Sequence, residues 1–232
     1  VETPNDPTVE FSSPLAELLK LDKGTAILRG NGVIAIEPQY KEIINYMSLA
    51  VELLQKMRAA QTAHLQYGWT KNDKSFIVGH REYHPGGTIK RNFASSSTRD
   101  TVELFESMGS MDKWREAVDV YNDMSLKPHA FVFLAGFGSP LMKFTGQDGA
   151  VINLCSTASG TGKSTAGRAA LSIWGDPRQL LLNYNDTRNS RVHRTGVMSN
   201  LPVVMDEMTN VTAEDVSNLL YGISSGRDRN RM

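Results

Sequence analysis

The residues best suited to chemistry lie in the run Ser159-Gly160-Thr161-Gly162-Lys163-Ser164-Thr165. Two glycines two apart allow a tight turn whose successive N–H groups converge on an anion. The lysine that follows suits the β- and γ-phosphates of a nucleotide, and the hydroxyl of Ser164 suits Mg²⁺. Ahead of the run, residues 151–155 are apolar and β-prone (Val-Ile-Asn-Leu-Cys), and behind it residues 166–174 favour a helix. Strand, glycine loop, lysine, hydroxyl and helix N-terminus are together the parts of a phosphate cradle. The usual spacing places a further glycine five residues before Gly162, and here that position is Thr157. The strand is therefore expected to run slightly further before the turn, since threonine avoids the positive φ that glycine adopts.

A second element is needed for hydrolysis. Residues 201–207 read Leu-Pro-Val-Val-Met-Asp-Glu, an apolar run ending in two acids. Parallel strands buried on both faces are continuously apolar, and their carboxyl ends line the ligand crevice. Asp206 is expected beside Mg²⁺ through a water, with Ser164 as the direct ligand, and Glu207 is expected to polarise the attacking water. Lys163, Asp206 and Glu207 are thus the candidate catalytic residues. Asp206 follows Lys163 by 43 residues, room for one helix, one strand and one more helix. Arginines that could act on a neighbour's nucleotide or on nucleic acid are Arg188, Arg191 and Arg194, and also Arg227 and Arg229 near the end of the chain. The sequence does not choose among them.

These parts need a scaffold, and the composition allows one. The 232 residues can form one large domain or two small ones with a substantial core. Apolar residues make up 40%, and 25 basic residues balance 25 acidic ones, so a nucleic-acid partner would have to use a local patch. The single cysteine, Cys155, cannot form an internal disulfide, which fits a reducing cytoplasm. No run of eighteen apolar residues suggests a membrane span.

In chain order, the segment opening Val1-Glu2-Thr3 reads as an extended lead-in and looks cut from a longer polypeptide. Residues 25–29 and 32–36 read as short strands about a Gly30-Asn31 turn, and residues 41–66 as an amphipathic helix packed on a sheet. Residues 74–79 resemble a strand. His80 and His84 are four apart without a third ligand in view, which favours a polar loop over a metal site. Thr98 or Asp100 is a candidate cap for a helix through Met108, and Asp112 for one through Tyr121. The apolar run 131–137 reads as a buried helix beneath a sheet. Residues 179–183 read as a short buried strand, and residues 185–191 as a loop capping a helix toward Met198.

The helix around Trp114, the run 131–137, the 159–165 loop, the stretch 170–177 (Ala-Leu-Ser-Ile-Trp-Gly-Asp-Pro) and residues 201–207 occur in this order. Together they resemble the helicase-like, superfamily 3-related P-loop ATPases (AAA+-like) of phages, prophages and integrative elements. The resemblance extends from about Gly68 and is strongest over residues 150–207. It implies an α/β fold with a parallel sheet flanked by helices. Residues 150–232 would form a partial ATPase core, 98–149 a helical lead-in, and 1–97 a smaller α+β region acting as a collar or a docking domain. ATP and Mg²⁺ are the implied ligands. The implied activity is that of a replicative DNA helicase, working as a homo-oligomeric, commonly hexameric, ring on single-stranded DNA. Primase or polymerase are possible partners, the membrane is not one, and the location is the cytoplasm, the host's if phage-encoded. The polar sensor strand and fifth strand with which such a sheet continues do not follow Met232, so a fragment is expected. An assembly or defence ATPase without unwinding activity, or a non-catalytic nucleotide-binding module, would share the same site residues.

Overall fold

The computed structural model describes residues 11, 13–57, 63–95, 97–147, 149–183, 186–206, 212, 214, 216–217 and 221. The chain divides into two units, residues 1–65 with 93–99, and residues 66–92 with 100–232. The architecture is mixed α/β.

The first unit is built on α1 (Leu15–Leu18), α2 (Leu21–Gly30) and α3 (Glu37–Lys56). Leu18, Leu28, Tyr40 and Ile44 form its buried cluster, with Ile27, Val33 and Met47 packed around them. Tyr40 fixes the α2–α3 connection by donating its hydroxyl to the carbonyl of Val33 at 2.7 Å. This corrects the two strands expected over residues 25–29 and 32–36. Gly24, Thr25 and Leu28 are all buried, one face of a helix at three- and four-residue spacing, and that face decides the local structure. α3 also begins earlier than expected, because Pro38 starts it and Gln39 accepts a hydrogen bond from the Ile36 N–H. Only its first half is covered. Leu49, Leu53 and Met57 are exposed, so among the described residues no sheet covers the second half of this helix as expected.

The second unit begins with a four-stranded antiparallel sheet, β1 (Gly68–Trp69), β2 (Phe76–Val78), β3 (Arg81–Tyr83) and β4 (Ile89–Arg91), in that spatial order. Val78 opposes Arg81 across the tight β2–β3 turn. His80 and His84 both approach carboxylates, His80 with Glu103 at 2.9 Å and His84 with Glu82 at 3.4 Å. A 3-10 turn, Val102–Phe105, replaces the helix expected to run through Met108. Then come α4 (Met111–Val118), α5 (Lys127–Gly138), α6 (Lys163–Ser172), α7 (Pro177–Leu180) and α8 (Arg188–Met198). Ser110, not Asp112, occupies the N-cap of α4. The core joins Ile77 of β2 and Tyr67 before β1 to Phe105, Leu171 of α6, Leu180 to Leu182 around the end of α7, and Val197, Met198 and Leu201 at the end of α8.

α5 packs against α6, with the indole N–H of Trp174 donating to the Gly136 carbonyl at 2.9 Å and that of Trp114 to the Ser172 hydroxyl at 2.8 Å. The apolar run 131–137 is thus a helix but not a buried one. Phe133 and Gly136 are covered, whereas Phe131 and Leu134 are each 60% exposed. Residues 151–155 are not a strand: they carry no ladder, and Val151 is 51% exposed. Apolar, β-prone composition makes a strand only where a neighbouring strand supplies its hydrogen bonds. Residues 179–183 are likewise only partly extended. Asp176 accepts from the Arg178 N–H at 2.9 Å and, with Pro177 at the first position, starts α7. Beyond α7, Leu182 forms a parallel bridge with Met205. No helix among the described residues is long and apolar enough to cross a membrane.

Candidate functional site

The parallel bridge is the frame of the site. Leu182 donates its N–H to Val204 at 3.0 Å, and its carbonyl accepts the N–H of Asp206 at 3.0 Å. Those paired bonds to residues either side of Met205 are the slanted ladder of parallel strands. They fix the backbone of Asp206 at the end of an apolar run. α6 then lies across this run. A Cβ built on Gly167 would fall 2.7 Å from Cγ1 of Val204, so only glycine permits the helix to approach so closely.

That approach brings the first turn of α6 to Asp206. Ser164 Oγ donates to Asp206 Oδ1 at 3.0 Å, joining residues 42 apart. The helix begins at Gly162, whose φ of 83° is left-handed, and no side chain caps the turn. The amides of a helix's first turn have no partner within the helix, so a glycine start without a side-chain cap leaves them open to water or a ligand. Gly160 is also left-handed, at φ 70°. Lys163 curls back over the loop, its Nζ donating to the Ala158 carbonyl and the Thr161 hydroxyl, both at 3.2 Å. Those long bonds to neutral oxygens are weaker than the bonds an ammonium makes to a phosphate. Ser159 is exposed on the loop, and Thr165 is exposed on the first turn of α6.

The donor set fits Mg²⁺. The Ser164 hydroxyl and the Asp206 carboxylate meet at 3.0 Å, close enough for Ser164 to ligate Mg²⁺ directly and for Asp206 to reach it through a water, as expected from the sequence. A hydroxyl and a carboxylate are also the oxygen ligands that this hard cation takes alongside phosphate.

The sequence-predicted residues divide into three groups. Gly160, Thr161, Gly162, Lys163, Ser164 and Asp206 are brought together. Arg194 turns inward, donating from Nη2 to the Gln179 carbonyl at 2.8 Å, and burial holds its guanidinium below the usual arginine range. Arg191 lies half-buried on α8, and the backbone of Arg188 opens that helix. Glu207, Arg227 and Arg229 lie outside the described residues. Sequence reasoning passed over His129, which reaches the loop from the first turn of α5: its Nε2 lies 2.7 Å from the Thr161 carbonyl oxygen. The available signal was a lone polar residue between Pro128 and an apolar run. A hollow of about 390 Å³ lies elsewhere, between Trp69, Phe76, Arg81, Phe105 and Trp174, and contains none of the loop residues.

Among known protein families, the chain matches a domain of unknown function (DUF927) over residues 10–232. The chain belongs to the DUF927 family. No curated protein and no solved structure matches it. The family match spans both units of the chain, so the Ser164–Asp206 site lies within the DUF927 domain.

Proposed function

We propose that this DUF927 protein binds ATP with Mg²⁺ on the 159–165 loop and hydrolyses it. The observation that carries the proposal is the Ser164–Asp206 hydrogen bond at 3.0 Å, at the head of a helix started by left-handed Gly162. A chance Gly-Lys-Ser in a surface loop has no reason to meet the acid that ends an apolar, parallel-bridged run. In this reading the Leu182–Met205 bridge belongs to a parallel P-loop sheet.

The loop amides and Lys163 hold the β- and γ-phosphates and stabilise the charge on the transferring group. Ser164 and, through a water, Asp206 would hold Mg²⁺, which would supply positive charge against the phosphate oxygens. Glu207 takes the proton of the attacking water as its oxygen bonds to the γ-phosphorus and the bond to the β,γ-bridging oxygen breaks. The products are ADP and inorganic phosphate.

The narrower form of the proposal is a ring-forming replicative helicase that moves on single-stranded DNA, in the cytoplasm. Its support is the resemblance carried by residues 170–177 and 201–207. The test is phosphate release by the purified chain with Mg²⁺, with and without single-stranded DNA, together with strand displacement on a forked duplex. DNA-stimulated hydrolysis with displacement is expected. Hydrolysis that ignores DNA and displaces nothing would sink the helicase form alone. Absence of any ADP binding would sink the nucleotide site.

A further inference from the structure

We infer that His129 is a positioning residue of the phosphate loop, setting the direction of the Gly162 amide; this rests on the nucleotide reading proposed above. A carbonyl oxygen only accepts, so in the 2.7 Å contact with Thr161 the proton is on His129 Nε2. The peptide joining Thr161 to Gly162 is trans and planar, so its C=O and N–H point in opposite directions. Pinning the Thr161 carbonyl toward α5 therefore turns the Gly162 N–H away from α5, toward the open side of the loop. The ring lies against Gly162 itself: a Cβ built there would sit 3.4 Å from His129 Nε2.

The other ring nitrogen explains why a histidine does this rather than holding the core together. Nδ1 is buried and has no hydrogen-bond partner among the described residues. A buried, unsatisfied nitrogen is destabilising. An apolar side chain would pack there without that penalty, as Phe133, one turn along α5, packs against Trp114 and Tyr121. Among the described residues the polar contact of His129 is the loop carbonyl, so the bond to Thr161 is what the histidine contributes. α5 thereby becomes part of the nucleotide site without touching nucleotide. Its side chain holds the loop in a shape whose amides are ready before the phosphate arrives, which is where preorganisation lowers the cost of binding.

The test compares the wild-type chain with His129→Gln and His129→Phe. Glutamine places an amide nitrogen close to the position of Nε2 and keeps the donor; phenylalanine keeps the ring and loses it. Isothermal titration with ADP and Mg²⁺ is expected to show affinity about five- to tenfold weaker in His129→Phe, and within about threefold of wild type in His129→Gln. Urea midpoints would be measured beside it, because a purely structural role moves stability and not the Phe-against-Gln difference in affinity. Nitrogen NMR of the wild-type histidines at pH 8, without nucleotide, is expected to show Nε2 protonated and Nδ1 bare at His129. Wild-type binding of ADP with His129→Phe equally tight would overturn the inference and leave the nucleotide site standing, as would a proton on Nδ1. Wild-type failure to bind ADP would overturn both.

Discussion

Ser164 donates its hydroxyl to Asp206 at 3.0 Å across 42 residues of chain, and the two sides of that bond come from different elements. Ser164 is carried by α6 and Asp206 by the parallel-bridged run, and Gly167 lets the two meet. A contact built that way should bind metal as a unit. Ser164→Ala and Asp206→Asn are each expected to weaken the Mg²⁺-dependent part of ADP affinity by about 10–100-fold, the range found when metal-site partners are lost. Titrations with and without Mg²⁺ check this. The Mg²⁺-free affinity should change little, and an equal loss under both conditions would indicate a damaged loop instead.

Lys163 and Glu207 act on different stages of the proposed reaction, and their variants should separate them. Lys163→Ala removes the ammonium now held by Ala158 and Thr161, and with it phosphate affinity and turnover together. Glu207→Gln keeps the binding residues and removes the proton acceptor, so ATP should bind and persist. Rapid filtration after mixing with labelled ATP is the measurement. Ordinary turnover by either variant would refute the assignment.

How much of this was legible depended on whether the deciding contacts were local. That a helix follows the Gly162-Lys163-Ser164 turn was legible, but it runs over Lys163–Ser172 and not over residues 166–174, because the left-handed glycine lets Lys163 itself open the first turn. The helix ending at Met198 was legible because its start is local, with Thr187 accepting from the Ser190 N–H at 3.2 Å as its cap. The meeting of Ser164 with Asp206 was legible because both residues are expected from the sequence at one Mg²⁺ site. Residues 25–29 were misread because five residues of mixed character do not fix a period. The burial of Gly24, Thr25 and Leu28 settles it from the neighbouring helices. Residues 151–155 show the reverse, a β-prone composition without a pairing partner. His129 was invisible because its role lies in a contact 32 residues away, to a backbone carbonyl that sequence does not display.

The closeness of α6 to Val204 makes Gly167 a stability position as well as a functional one. Alanine would gain about 0.5–1 kcal/mol of helix preference over glycine. Against that, its methyl would stand 2.7 Å from Val204 Cγ1, and overpacking typically costs about 1–3 kcal/mol. Gly167→Ala should therefore be destabilised by about 1 kcal/mol in urea unfolding, with weaker Mg²⁺-dependent ADP binding as the Ser164–Asp206 distance opens. Adding Val204→Ala should recover part of the affinity loss by making room. Independent, additive effects in the double variant would argue that the two side chains do not meet.

The corner after α6 gives a pH dependence with a definite sign. Asp176 accepts from the Gln179 side chain at 2.9 Å and from the Arg178 N–H at 2.9 Å, and these bonds hold its carboxyl below the usual aspartate range. A carboxyl whose folded pKa is depressed adds stability that is present above its unfolded value, about 3.9, and is lost as pH falls through the folded value. Asp176→Asn keeps a good cap but cannot titrate, and Asp176→Ala loses a cap worth about 1 kcal/mol. At pH 7 the alanine variant should be less stable than wild type, with asparagine close to it. Between about pH 4 and pH 2 the wild type should lose stability relative to Asp176→Asn, so that the gap between their urea midpoints narrows or reverses. Because every other carboxylate titrates equally in both chains, the difference isolates this corner. A gap that stays constant across that range would mean that Asp176 is not holding α7 as a charged cap.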